Sequence, residues 1–369
     1  MKIVVFGLTI SSSWGNGHAT LWRGLCRALA RLGHHVVFFE RDVPYYAMNR
    51  DLYEVPGGAL VLYEDWAKVL PRARSEIIDA DAVMVTSYCP DGIAAGELVL
   101  AAPRAKRVFY DLDTPITLSR LKSQEGISYI GPRGLSDYDL VLSYTGGAAL
   151  EQLRSKLGAG RVEALYGHVD PDQHRPVQPL ESYRSDFSYL GTYAADRQAT
   201  LHELFIEPAR FRPDLRFLIG GAQYPQDFPW LENIFFVQHL PPSEHPAFFC
   251  SSRLTLNVTR SAMAEMGWCP SGRLFEAAAC GVPLLSDHWP GIDSFFSPGK
   301  EILIARTTED ALNALDLSNA ELFEVAEAGR ERVLEEHTSM RRAQELETFL
   351  SASTPASTTS HARDAVMET

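Results

Sequence analysis

Twelve short apolar, β-branched runs alternate with helical patterns almost from end to end of this chain, and that alternation limits what it can fold into. The first half offers Lys2–Leu8, His35–Glu40, Ala59–Tyr63, Asp81–Tyr88, Arg107–Asp111 and Leu140–Tyr144. The second half offers Phe187–Gly191, Arg216–Gly220, Ile234–His239, Leu254–Arg260, Val282–Ser286 and Ile302–Ala305. Continuous apolar strands separated by helices predict α/β architecture, with parallel sheets covered on both faces. Two sets of about six strands predict two Rossmann-like, doubly wound domains rather than one very wide sheet. A length of 369 residues, at roughly 150 per domain, gives the same count.

Composition narrows the functional classes. The chain is 46% hydrophobic and 22% charged, which is globular and excludes wholesale disorder or coiled coil. Its net charge of −13 argues against a protein whose main task is gripping nucleic acid. The five cysteines are scattered without a CxxC pair, so neither a metal site nor a disulfide framework is predicted. They read as buried small hydrophobes in a reducing compartment. The opening run MKIVVFGL is too short for a signal peptide, and no stretch approaches the ~18 apolar residues of a membrane span. A cytoplasmic location is the expectation.

The proline-rich segment Val169–Pro179 suits an inter-domain hinge. It divides an N-terminal domain (1–172) from a C-terminal one (173–330), with a helical segment at 331–350. The last residues, 351–369, read as a disordered tail. The best helical stripe is Ala19–Leu32, closed by Gly33. Arg23, Arg27 and Arg31 form another stripe of that helix, which reads as a solvated face or, alternatively, a contact for an anionic surface. Peripheral membrane contact is left open on that basis.

Three segments offer chemistry. Strand one leads into Ser11–His18, a loop with Gly15, Asn16 and Gly17 that opens a helix and exposes backbone N–H groups to an anion. With Glu40 after strand two this invites a dinucleotide-binding reading, but the third glycine required is Thr20, so the fingerprint fails. Strand five ends in Asp111-Leu-Asp113, where ligands of open parallel sheets bind. Side chains two apart point to opposite sides, so one acid could serve as a general base and the other as a turn cap. A metal-binding pair and two plain turn-formers are the alternatives. Third, Ser271 is a good N-cap for a helix closed by Gly281. The helix N-terminus favours phosphate, and Arg273 and Glu276 share one face. A guanidinium suits a diphosphate and a carboxylate suits ribose hydroxyls; an ordinary surface pair is the plainer reading.

The run from Ser271-Gly-Arg-Leu-Phe-Glu276 to Ser286-Asp287, followed by Pro290-Gly-Ile and Pro298-Gly-Lys-Glu-Ile, resembles the C-terminal signature of CgeB-like glycosyltransferases. These have the GT-B fold and a group 1-like C-terminal domain. The resemblance extends to Trp14-Gly-Asn-Gly-His18, Tyr110–Thr117, Thr145-Gly-Gly147, Gly191-Thr-Tyr193 with Arg197, and His239-Leu-Pro-Pro242. It implies a nucleotide-sugar donor, UDP- or another nucleoside diphosphate sugar, held by the second domain, and an acceptor whose identity the chain does not disclose.

In that reading Glu276 binds the donor ribose, and Ser271, Gly272 and Arg273 face the diphosphate. Arg197 contacts phosphate, and backbone at Gly221, His239 and Leu240 reads the base. Asp113 and His18 are the base candidates toward the acceptor, beside a cleft loop of Gly15, Asn16, Gly17 and Asp111. No metal or other cofactor is implied. Retaining GT-B enzymes often carry a second glutamate in register with Glu276, and here that position is Trp268, so retention does not carry over. The resemblance also leaves room for a non-catalytic nucleotide-sugar sensor and a sugar-nucleotide 2-epimerase. It suggests, too, that the last helix returns to the first domain.

Overall fold

The computed structural model describes residues 1–15 and 17–352; Asn16 and the expected tail beyond 352 lie outside the described residues. All twelve predicted strands form, and a thirteenth joins them. The first sheet runs β3-β2-β1-β4-β5-β6-β7, with β1 Lys2–Gly7, β2 His35–Arg41, β3 Ala59–Tyr63, β4 Ala82–Thr86, β5 Lys106–Asp111, β6 Leu140–Ser143 and β7 Val162–Ala164. The second runs β10-β9-β8-β11-β12-β13, with β8 Ser185–Leu190, β9 Phe217–Gly221, β10 Ile234–Gln238, β11 Ser252–Asn257, β12 Leu284–Asp287 and β13 Leu303–Ala305. Every pairing is parallel, so both sheets present the carboxyl ends of their strands on one side. The additional strand β7 is a three-residue edge with Glu163 at its centre, too short and too polar to show a pattern.

The first helix, His18–Arg31, buries Leu21, Trp22, Leu25 and Leu29 beneath the sheet, as the stripe predicts. Gly33 takes the left-handed φ of +81° that ends it. The opposite flank of this helix receives the final helix, Ser339–Ser351, whose Ala343, Leu346 and Leu350 enter the same core cluster as Leu25 and Leu29. Burying a leucine this way contributes about 1.5–3 kcal/mol. The break that starts this returning segment comes at His337–Thr338, since the preceding helix, Asn319–Glu336, continues straight through position 331.

Arg31 at the end of the arginine stripe is solvated, as expected of an exposed face, but Arg23 and Arg27 are mostly shielded, and all three are paired. Arg23 donates to the Ile10 carbonyl at 2.9 Å and pairs with Asp51, while Arg27 donates to Asp170 at 2.5 Å and Arg31 pairs with Asp172. Two of the three thus strap the hinge to the first helix. Val169 completes the strap: its N–H donates to the His337 carbonyl at 3.0 Å, and its carbonyl accepts Ser339 N–H at 2.7 Å. The segment read as a linker is therefore fastened on both sides.

Candidate functional site

The carboxyl ends of the two sheets face each other, and the loops that leave them build the site. Glu40, at the end of β2, is fully buried and fixes the first of these loops. Its carboxylate accepts Thr9 and Ser11 hydroxyls at 2.9 and 2.6 Å, and Ile10 and Ser11 N–H groups at 2.7 and 2.9 Å. With every lone pair committed, Glu40 holds no ribose, a physical reason for the failed dinucleotide fingerprint. Gly15 then turns at φ +69°, where a Cβ would lie 2.6 Å from the Tyr45 hydroxyl. Gly17 is the N-cap and delivers His18 as the first helical residue.

His18 meets the end of β5. Its Nε2 lies 2.8 Å from Asp113 Oδ2, both side chains being mostly shielded. A carboxylate only accepts, so Nε2 carries the proton, and in the neutral imidazole Nδ1 holds the lone pair. Nδ1 is buried and has no hydrogen-bond partner among the described residues. The two base candidates are thus one dyad, with the imidazole oriented by the acid.

Asp111 departs from its assignment to the cleft loop. It is fully buried, and its Oδ1 accepts the Asp113 N–H at 3.1 Å. Desolvation pushes its carboxyl up to about 7. Asp111 is the turn cap. Beside the dyad stands Tyr88, a non-glycine residue at φ +59° whose ring lies 6.3 Å from His18 and under the Arg120 guanidinium. Nothing in the sequence singles it out.

On the second domain, Ser271 caps the Gly272–Ala279 helix by accepting Arg273 N–H at 3.3 Å. Apart from neighbouring backbone, nothing lies within 4 Å of the space a Cβ at Gly272 would fill, and Ser271, Gly272 and Arg273 are half-buried. Arg197, after β8, has a buried Nε without a partner, and its Nη1 lies close to Gly191. A Cβ on Gly221 would lie 2.1 Å from the Gly191 carbonyl, so the ends of β8 and β9 approach as only glycine permits.

Arg273 is engaged within its own domain. Arg273 does not face outward toward a diphosphate: it pairs with Glu276 and donates to His245 Nδ1 at 3.2 Å. His245 Nε2 in turn donates to the Leu240 carbonyl at 3.3 Å. The His239 ring packs on Trp14 of the first domain, with centroids 3.9 Å apart.

Glu276 is 5% exposed. Burial would raise its carboxyl, but Arg273, His174 and His245 overcome this and hold it well below the ordinary carboxylate range. His174, His245 and Glu276 offer ligand atoms all within 4.8 Å of one another, a grouping the sequence does not suggest. The Arg273 guanidinium already supplies the cation among them. His174 arrives from the hinge and His245 from a different helix, so no spacing rule links them to Glu276.

Trp268 explains its own departure from the two-glutamate pattern. Held at φ +44°, its indole lies where a Cβ on Gly147 or Gly291 would approach to 2.6 and 2.5 Å. Its carbonyl accepts Gly146 N–H at 2.9 Å from the first domain, and the adjoining Pro270 carbonyl accepts the Tyr144 hydroxyl at 2.8 Å. The position works as an inter-domain clasp.

Sequence and structure comparisons bear directly on this geometry. Residues 197–348 match the family described as Glycosyl transferase-like. The chain resembles sucrose-phosphate synthase from Thermosynechococcus elongatus at a TM-score of 0.67 and 14% identity, covering 94% of this chain and 98% of that one. The fold is GT-B. Trehalose-6-phosphate synthase OtsA superposes at 0.65 and 14% identity over 96% and 100% of the two chains. HepE of Anabaena, solved with UDP and glucose, superposes at 0.66 and 12% identity over 95% and 99%. No curated protein sequence matches. None of the described helices of this GT-B chain is long and apolar enough to cross a membrane.

Proposed function

We propose that this chain is a glycosyltransferase that moves a sugar from a nucleoside diphosphate sugar to an acceptor hydroxyl with inversion. The observation that carries the reading is the His18–Asp113 dyad at the meeting of the two sheet ends. Asp113 orients the imidazole, and Nδ1, once movement of the surrounding loops uncovers it, takes the acceptor proton as the hydroxyl attacks the anomeric carbon. The diphosphate leaves against Arg197 and the helix N-terminus at Gly272, whose N–H groups stabilise the developing charge. Support for a UDP-type donor comes from the GT-B structures solved with UDP. The division at residues 172/173 assigns the acceptor to the first domain and the donor to the second.

Glu276 takes the ribose hydroxyls in this proposal, which requires Arg273 to swing off the carboxylate and toward the phosphates. Donor binding thereby exchanges one partner of each charge for another, so neither is left buried and unpaired. Titration calorimetry with UDP, GDP and dTDP tests the donor site. One nucleoside diphosphate is expected to bind, with affinity reduced at least tenfold in Glu276→Gln. Equal affinity in the variant would remove Glu276 from the donor site, and binding of no nucleotide would remove the transferase reading. Turnover of the sugar nucleotide to an isomer without acceptor would favour an epimerase instead, and binding without any turnover a sensor.

A further inference from the structure

We propose that Cys250 and Cys280 are a reversible oxidation site, closing to a disulfide when the protein meets a peroxide. Cys250 ends the His245–Cys250 helix, and Cys280 is the residue that caps the Gly272–Ala279 helix. Cys250 Sγ lies 3.5 Å from the Cys280 carbonyl oxygen and accepts the Val177 N–H at 3.3 Å. Cys250 Sγ thus packs against the Cys280 backbone, and each thiol is the foremost influence on the ionisation of the other. Two cysteines 30 positions apart are therefore brought together by tertiary packing alone, which is why their spacing carries no recognisable motif.

The pair differs from the other thiols in the way that oxidation chemistry requires. Cys26, Cys89 and Cys269 are buried, and desolvation pushes each up to about 12. Cys250 is half-buried rather than sealed. The neighbouring Cys280 thiol outweighs burial and holds Cys250 below an ordinary thiol, while its own contact with Cys250 and its burial push Cys280 well up. Thiolate character and access select the thiol that reacts first, and a neighbouring thiol resolves the product.

The chemistry closes without a further reactant. The Cys250 thiolate attacks one peroxide oxygen, the O–O bond breaks, and hydroxide leaves to become water as the sulfenic acid forms. Cys280 sulfur then attacks the sulfenic sulfur and its proton goes to the departing hydroxyl, so that the S–S bond forms and a second water leaves. Both thiols are oxidised and the peroxide is reduced; a dithiol reductant reverses the bond by exchange.

The bond would tie together the helix that carries His245 and the helix that carries Arg273 and Glu276. The Arg175 carbonyl of the hinge lies 4.0 Å from Cys250 Sγ. The site is thus independent of the His18–Asp113 dyad, and its test needs no activity assay.

The full chain is treated with about one equivalent of hydrogen peroxide, denatured, and its thiols counted and mapped under non-reducing conditions. The count is expected to fall from five to three, with a Cys250–Cys280 linked peptide, and dithiothreitol restores it. Cys280→Ser is expected to leave a dimedone-trappable sulfenic acid at Cys250, and Cys250→Ser to leave its remaining thiols unoxidised. A disulfide through Cys26, Cys89 or Cys269, oxidation of Cys250 straight to sulfinic acid in the unmutated chain, or an unchanged count would overturn the proposal.

Discussion

At the residue scale the proposed chemistry rests on His18 and Asp113, and their hydrogen bond predicts that losing either member is similarly costly. Removing the base in His18→Ala is expected to lower kcat/KM about 10²–10⁴-fold. Asp113→Asn keeps the shape but can donate to Nε2, reversing the tautomer preference, and a loss of similar order follows. Nucleoside diphosphate affinity should stay within about twofold in both, because neither residue belongs to the donor helix. Steady-state kinetics beside calorimetry separates the two effects; a large affinity loss in His18→Ala would place it in the donor site. Both residues are visible in the sequence as candidates at the ends of predicted strands. That they are one unit is not, since 95 positions separate them.

Elements fix where these residues stand, and the clasp at Trp268 is the sharpest example. Gly291 sits at φ +87° with the indole where its Cβ would lie. Gly291→Ala therefore meets both backbone strain and a rigid aromatic ring, and should cost about 1–3 kcal/mol. Chemical denaturation measures this, and a change under about 0.5 kcal/mol would mean that the indole readily moves aside. The Gly272–Ala279 helix is legible in the sequence: Ser271 as N-cap and Gly281 as terminator follow from local backbone preference alone. The inward turn of Arg273 was not, because His245 arrives from an element no periodicity connects to it. β7 escaped for the opposite reason, being an edge strand with too few residues to carry a pattern.

Across the whole molecule, the last helix links the end of the chain to the first domain. Leu346→Ala is expected to cost about 2–5 kcal/mol, and hydrogen exchange should report the loss in β1 and β2 first. Protection lost only in the second sheet would contradict the packing of Leu346 against the first helix. Acid should act on the whole molecule. Burial lowers His168 and His337 to about 3 and His245 to about 4, from an ordinary 6.5. Folding then excludes protons that the unfolded chain binds, so stability declines as pH falls from about 6.5 toward those values. Asp111, pushed up from 3.8 to about 7, has the reverse sign: stability declines as pH rises through that interval. The melting midpoint is expected to drop between about pH 7 and pH 5, and Asp111→Asn should raise it at about pH 8. A midpoint flat over the acid interval would show that these imidazoles are hydrated in solution.

Alternating strands and helices, their parallel pairing and two-domain count were determined by the sequence, because periodicity and caps act over a few residues. So were the loops that carry chemistry, since the carboxyl ends of parallel strands are where such loops gather. Only the tertiary structure decided which of those groups touch. It joined His18 to Asp113, buried Asp111 and turned Arg273 inward. It also paired Cys250 with Cys280 and fastened the arginine stripe to the hinge. Each of these depends on the approach of elements far apart in the chain, where packing and desolvation set the partner and no local pattern records it.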